Sequence, residues 1–302
     1  MAKGSTVAVV SGPKAILHKT FWLIVVAVAI VLIATVLLLP NQPNVFGGYS
    51  TRQLAYLLAV FYIAGLESGL SGFGFSGVAA AALALLPPIL GTPLLQSLST
   101  ANQLVSIGEL KQDMPKTFTQ FWQGPGPYIL GGLAGTPIGV WLLTHLPAAQ
   151  LMLIFGSILL LYSLYSLFRP ATFKINGGGS SIAGVIVGFL GGTLGGFTAF
   201  PGAAVVVWSS LRNIPKEKNR AIVQPYIVVG QIYSLSLLAW LHPNVFSHQY
   251  WILLAILVPA VLPGTATGVA IYKRISDINF KRITYFCLGL SGAVLLLKVL
   301  MK

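Results

Sequence analysis

GLESGLSGFGFSG, residues 65–77, sets five glycines, three serines and one carboxylate, Glu67, between long apolar runs. Glycine at this density frees the backbone to turn where a helix would otherwise continue. A carboxylate inside an apolar run is costly unless the chain uses it. What surrounds the stretch decides how both features are read.

The surroundings are apolar throughout. Of 302 residues 56% are hydrophobic and only 8% charged, where a soluble domain carries roughly a quarter. A membrane-crossing helix takes about 20 mostly apolar residues, so a chain of this length holds roughly ten segments and leaves no room for a separate catalytic or regulatory domain. The expected fold is an all-α polytopic membrane protein. The net charge of +13 does not indicate nucleic acid, because the Lys and Arg residues sit in short connectors rather than in one basic patch. The single cysteine, Cys287, excludes an internal disulfide and a cysteine-based metal cluster.

Apolar runs and breakers predict the segments. Phe21–Leu39 reads as a retained extra transmembrane helix after a cytoplasmic tail, 1–20; it is longer than a signal-peptide core and lacks a small-x-small site. The first repeat, 50–170, holds an interrupted pair at 53–71 and 76–90, then 94–110, 124–144 and 150–168. A Gly/Ser linker, 171–181, separates it from a second repeat, 182–302, with an interrupted pair at 182–199 and 201–211, then 219–241, 251–272 and 283–301. On this layout 15 of the 18 positive charges fall on one side, which the positive-inside rule makes cytoplasmic. The N-terminus is then cytoplasmic and the C-terminus extracytoplasmic, in a cell (inner or plasma) membrane.

The halves resemble each other. Gly65, Gly69 and Gly72 match Gly188, Gly192 and Gly195 at a spacing of 123, Asn102 and Gly108-Glu109 match Gln224 and Gly230-Gln231 at 122, and GTPIGV (135–140) matches GTATGV (264–269) at 129. Five segments per half place the second half upside down relative to the first, an inverted-topology repeat of the secondary-transporter kind. The interrupted pairs are short for two full crossings and read as broken or re-entrant helices whose tips approach the midplane. Helices restarting near Ser76 and Pro201 would aim free N–H groups at an anion. The competing reading makes the glycines close helix-packing faces.

Polar residues at membrane depth complete the candidate site. Ser71, Gly72, Gly74, Ser76 and Gly77 come from the first tip, and Thr193, Gly195, Gly196, Thr198, Pro201 and Gly202 from the second. Asn102 and Gln224 lie on the following segments, beside Gln96, Gln103 and Gln231; uncharged donors suit an oxyanion that must be held and released, or serve as glue between helices. Glu67 is the candidate proton carrier; the alternative is a hydrated, idle carboxylate. The four histidines show no metal-ligand spacing, so neither metal nor cofactor is expected.

With its duplicated glycine motifs, GLESGLSGFGFSG and GFLGGTLGGFTAFPG (188–202), and its AGTPIG block, the chain resembles the sulfite exporter TauE/SafE family of membrane transporters over about residues 50–300. The resemblance implies transport of sulfite, sulfonates or related organic anions. Phe73 and Phe75 interleave the glycines of the first motif, and Glu67 stands upstream of it, both departures from the family's glycine-run form. The expected function is therefore a secondary transporter for a small anion, working by alternating access in the lipid bilayer with Glu67 as a proton coupler; a channel-like pore or a non-transporting assembly subunit is the alternative. An enzyme is not expected, since Glu67 stands alone among the apolar runs.

Overall fold

The computed structural model describes residues 48–107, 114–168, 181–212, 214–272 and 277–301. The tail 1–20, the segment 21–39, nearly all of the linker, and Glu109 lie outside them. The described chain is helical, with no β-strand among the described residues.

Helix α1 (Thr51–Ser71) opens on a capping box, Ser50 Oγ accepting from Gln53 N–H and Gln53 Oε1 from Ser50 N–H. After a break, α2 (Phe75–Ala79) continues as a 3-10 turn (Ala80–Ala84). This limb stops short of the expected residue 90 because Pro87 and Pro88 follow; Pro88 instead starts α3 (Pro88–Ile107), where its missing N–H costs nothing. A short helix, α4 (Phe118–Gln123), was not anticipated; α5 (Gly126–His145) and α6 (Ala148–Phe168) follow. The second half repeats the order: α7 (Ser181–Thr198), a break, α8 (Gly202–Leu211), α9 (Lys216–Leu241), α10 (His248–Tyr272) and α11 (Asp277–Leu300).

Six described helices or parts of helices are long and apolar enough to cross a membrane: α1, α5, α6, α7, Lys218–Leu241 and His248–Ile271. The chain is a multi-pass membrane protein. Its outward faces carry Leu130, Trp141, Leu161, Trp240 and Trp251, all more than half exposed. Its interior holds the polar side chains of α3 and α9, Gln96, Asn102, Gln103, Gln224 and Gln231, each at most 2% exposed. Apolar outside and polar inside is the arrangement that lipid demands of a helix bundle with a polar centre.

Helix pairing is reciprocal between the halves. The most extensive contacts join α5 to α7, α1 to α10 and α6 to α11. If α1 corresponds to α7 and α5 to α10, the first two pairings are counterparts, and the third joins a helix to its own counterpart. Glycines make the seams. A β-carbon on Gly65 or Gly69 would overlap the carbonyl oxygens of Val261 or Thr265, and one on Gly188 or Gly192 those of Tyr128 or Gly132. These four glycines are therefore packing faces, where loss of the side chain brings backbones together.

Candidate functional site

The first break begins at Gly72, which takes φ 82°, the left-handed conformation that glycine adopts without strain. Its N–H closes the last turn of α1 on Ser68 O. Ser71 Oγ then accepts from the N–H groups of Phe73 and Gly74, at 3.1 and 3.0 Å. The two backbone donors of the break itself are thus satisfied by the chain. Three side chains converge on the end of α1: Gln103 and Gln224 donate to Gly72 O at 3.0 and 3.4 Å, and Arg220 Nη2 donates to Leu70 O at 2.8 Å. A β-carbon on Gly72 would stand 2.9 Å from Arg220 Nε and 3.0 Å from Gln224 Nε2. Only glycine leaves room for both.

Glu67 returns to the same break from one turn earlier in α1. It is 2% exposed, and its carboxylate occupies the space that a β-carbon on Gly74 would need. Its charge also reaches Tyr162 on α6 and Cys287 on α11. Glu67 is therefore buried at the break rather than hydrated at a helix end.

The second break is centred on Ala199, whose φ of 60° costs a non-glycine residue about 1–2 kcal/mol. Thr198 Oγ1 accepts from Phe200 N–H at 3.1 Å. Gln231 Nε2 donates to Ala199 O and Ser99 Oγ at 3.1 and 3.0 Å, and Thr100 Oγ1 donates to Gln231 Oε1 at 3.1 Å. Gln96 Nε2 donates to Gly195 O at 3.0 Å and Ser234 Oγ at 2.9 Å, while Thr92 Oγ1 donates to Phe197 O at 3.1 Å.

The two breaks correspond position by position. Ser71 and Thr198, Gly72 and Ala199, and the restarts at Phe75 and Gly202 are each 127 apart. Their supports are 128 apart: Gln103 and Gln231 on the break carbonyl, Arg220 and Thr92 on the carbonyl two residues earlier. Each half thus carries Gln-x6-Gln, Gln96/Gln103 on α3 and Gln224/Gln231 on α9, a spacing of two turns that sets both amides on one face. The glycine matches at 123 run one helical turn away from this correspondence, and the pairing of Asn102 with Gln224 does not follow it.

The site residues expected from sequence divide into groups. Ser71, Gly72, Gly74 and Gln224 meet at the first break; Gly195, Thr198, Pro201 and Gly202 stand at the second. The breaks adjoin, since a β-carbon on Gly77 would lie 3.3 Å from the Phe200 ring. Ser76 is buried within α2. Asn102 ties three helices, donating to Ser68 Oγ on α1 and accepting from Thr265 Oγ1 on α10. Thr193 donates to the carbonyls of Phe189 and Gly135, and Gly196 abuts the backbone of Gly139 and Thr136, so both belong to the α5–α7 seam. Arg220, Gln96, Gln103 and Gln231 were not in that set. The repeated Gln-x6-Gln spacing would have found the glutamines; Arg220 was counted with the connector charges.

Buried acceptors remain open at the site. The Oε1 atoms of Gln96, Gln103 and Gln224 have no hydrogen-bond partner among the described residues, at about 1–3 kcal/mol apiece. The Nε2 groups of Gln103 and Gln224 each spend one of two hydrogens on Gly72 O, so these two amides carry a further N–H for a ligand acceptor beside the open Oε1. Two clefts lie elsewhere. An apolar one of about 310 Å³ runs between α6, α7 and α8 past Tyr162, Leu194 and Trp208. A more polar one of about 530 Å³ lies by Thr144, His242 and Asn244.

The family model described as sulfite exporter TauE/SafE matches residues 56–295. No curated protein and no solved structure matches the chain.

Proposed function

The chain belongs to the sulfite exporter TauE/SafE family, and on that premise we propose that it is a secondary transporter moving a small anion by alternating access. Sulfite, a sulfonate or a related sulfur or organic oxyanion is the substrate class. The observation that carries this reading is the first break, where a guanidinium and two amides converge on interrupted backbone inside a multi-pass bundle. Interrupted backbone at membrane depth belongs beside a cavity or a ligand path, and a planar guanidinium suits an oxyanion.

The remaining parts of the reading follow from the architecture. The reciprocal pairing of α1 with α10 and α7 with α5 supports two halves of opposite orientation that rock about the paired seams. The site draws on Ser71, Gly72, Gly74 and Gln224 at the first break, which adjoins Gly195, Thr198 and Gly202 at the second, with Glu67 as the coupling residue. The cytoplasmic side is the Arg212–Arg220 end of the bundle.

Flux into proteoliposomes holding the purified full chain tests this, with sulfite, small sulfonates and thiosulfate as probes. Saturable flux of at least one of them is expected. No flux of any probe overturns the reading, and flux that never saturates replaces it with a channel-like pore.

A further inference from the structure

The two breaks share their backbone but not their charge. At corresponding positions the first break has Arg220 where the second has Thr92, each donating to the carbonyl two residues before the left-handed turn. Counting with the backbone offset of 127, the counterpart of Glu67 is Leu194, which lines the apolar cleft. The open acceptors Gln103 Oε1 and Gln224 Oε1 belong to the two amides on Gly72 O. At the second break Gln231, the amide on the break carbonyl, is satisfied on both sides by Thr100, Ser99 and Ala199 O, and one open acceptor, Gln96 Oε1, stands farther from it.

Resting on the transporter reading above, we propose that the first break alone is the coupled site: one anion binds against Arg220 and Gln224 while Glu67 takes up one proton, and the two cross the membrane together. The second break is its uncharged counterpart and works as a hinge.

The reasoning is one of charge in a desolvated place. Arg220 stands over Gly72 and the Glu67 carboxylate lies against Gly74, so the two charges flank the three residues of the break and cancel. An arriving anion brings a second negative charge to the same turn, and neighbouring like charges favour protonation of a carboxylate. A proton from solvent converts Glu67 to the acid and restores neutrality; it leaves when the anion leaves. Among the described residues, the other ionisable groups that sense the Glu67 charge are Tyr162 on α6 and Cys287 on α11. The α10 stretch at Val261–Thr265 that packs on Gly65 and Gly69 is about three to four turns from that helix's His248 and Tyr250. Among the described residues α2 and α3 contribute no ionisable side chain. Arg220 need not abandon Leu70 O to hold an anion, because a guanidinium carries five N–H donors.

Calorimetry on the detergent-purified full chain tests the proposal, with methanesulfonate and thiosulfate as probes because their charge is constant between pH 5.5 and 8. Titrations in two buffers of different ionisation enthalpy are expected to give about one proton taken up per bound anion, and Kd tightening by up to about tenfold per unit fall in pH, as single-proton linkage requires. Glu67→Gln should abolish the proton uptake and flatten the pH dependence. Arg220→Thr keeps a hydroxyl for Leu70 O, as Thr92 provides for Phe197 O, and should weaken binding at least about tenfold. Anion binding by the native chain without proton uptake overturns the proposal and leaves the transporter reading standing. So does wild-type affinity in Arg220→Thr, which would make the arginine only a helix cap. Failure of every probe both to bind and to be transported overturns the transporter reading itself.

Discussion

At Gly69 a single hydrogen separates two helix backbones: a β-carbon there would overlap Thr265 O and crowd Val269 N and Gly268 Cα. Backbone atoms cannot swing aside as a side-chain tip can, so Gly69→Ala must push α1 and α10 apart. It should destabilise the detergent-solubilised protein by about 1–3 kcal/mol, read as a lower midpoint in thermal unfolding. Gly230→Ala is the matched control. Nothing lies within 4 Å of a β-carbon at Gly230, inside α9, and alanine there should be neutral or stabilising by about 0.5–1 kcal/mol. A larger loss at Gly230 than at Gly69 would refute the assignment of the seam.

At the scale of elements, α3 and α9 carry the site by presenting Gln-x6-Gln to the two broken helices. Their four glutamines do not contribute equally. Gln231 satisfies Ala199 O, Ser99 and Thr100 at once, so Gln231→Met strands buried polar groups and should cost about 1–3 kcal/mol of stability. Gln224 makes one long contact to a carbonyl that Gln103 also serves. Gln224→Met should therefore leave thermal stability nearly unchanged while weakening anion affinity; equal stability losses at the two positions would remove the distinction between a structural amide and a binding one. Most helix ends were legible from glycine and proline, though the limb expected to reach 90 ends at Ala84 and the helices expected from 94 and 283 start at Pro88 and Asp277; the correspondence of the halves was not legible. Glycines at every fourth position form a comb that matches itself one turn away, so Gly65 and Gly69 align as readily with Gly188 and Gly192 as with Gly192 and Gly196. Only the left-handed turns at Gly72 and Ala199 choose between them.

For the molecule as a whole, the apolar exterior and the connector charges set how it sits in the membrane. The exposed Trp141, Trp240 and Trp251 are near the α5–α6 and α9–α10 connectors, at helix ends opposite the Arg212–Arg220 connector, and tryptophan favours the membrane interface. In a Cys287→Ser background, a cysteine at Asn244 should react with a membrane-impermeant reagent only from outside, and one at Lys218 only from the cytoplasmic face. The reverse labelling would invert the assigned orientation; labelling of both sites from one side would exclude the opposed halves. At this scale too, charge counting tallies Arg220 only as one of the positive charges on the cytoplasmic side, whereas in the fold it reaches from α9 to Leu70 O on α1.

Composition and the spacing of breakers were enough to establish a polytopic helical bundle broken near Gly72 and near Pro201, because hydrophobic length and glycine or proline punctuation act locally along the chain. Which polar groups meet is a matter of long-range contact. Glu67 reads as an isolated carboxylate until α2 folds back and sets Gly74 against it. Arg220 reads as one more cytoplasmic-side charge until α9 carries it over Gly72, and the charge that distinguishes one break from the other emerges only there, where it donates to a carbonyl 150 positions away.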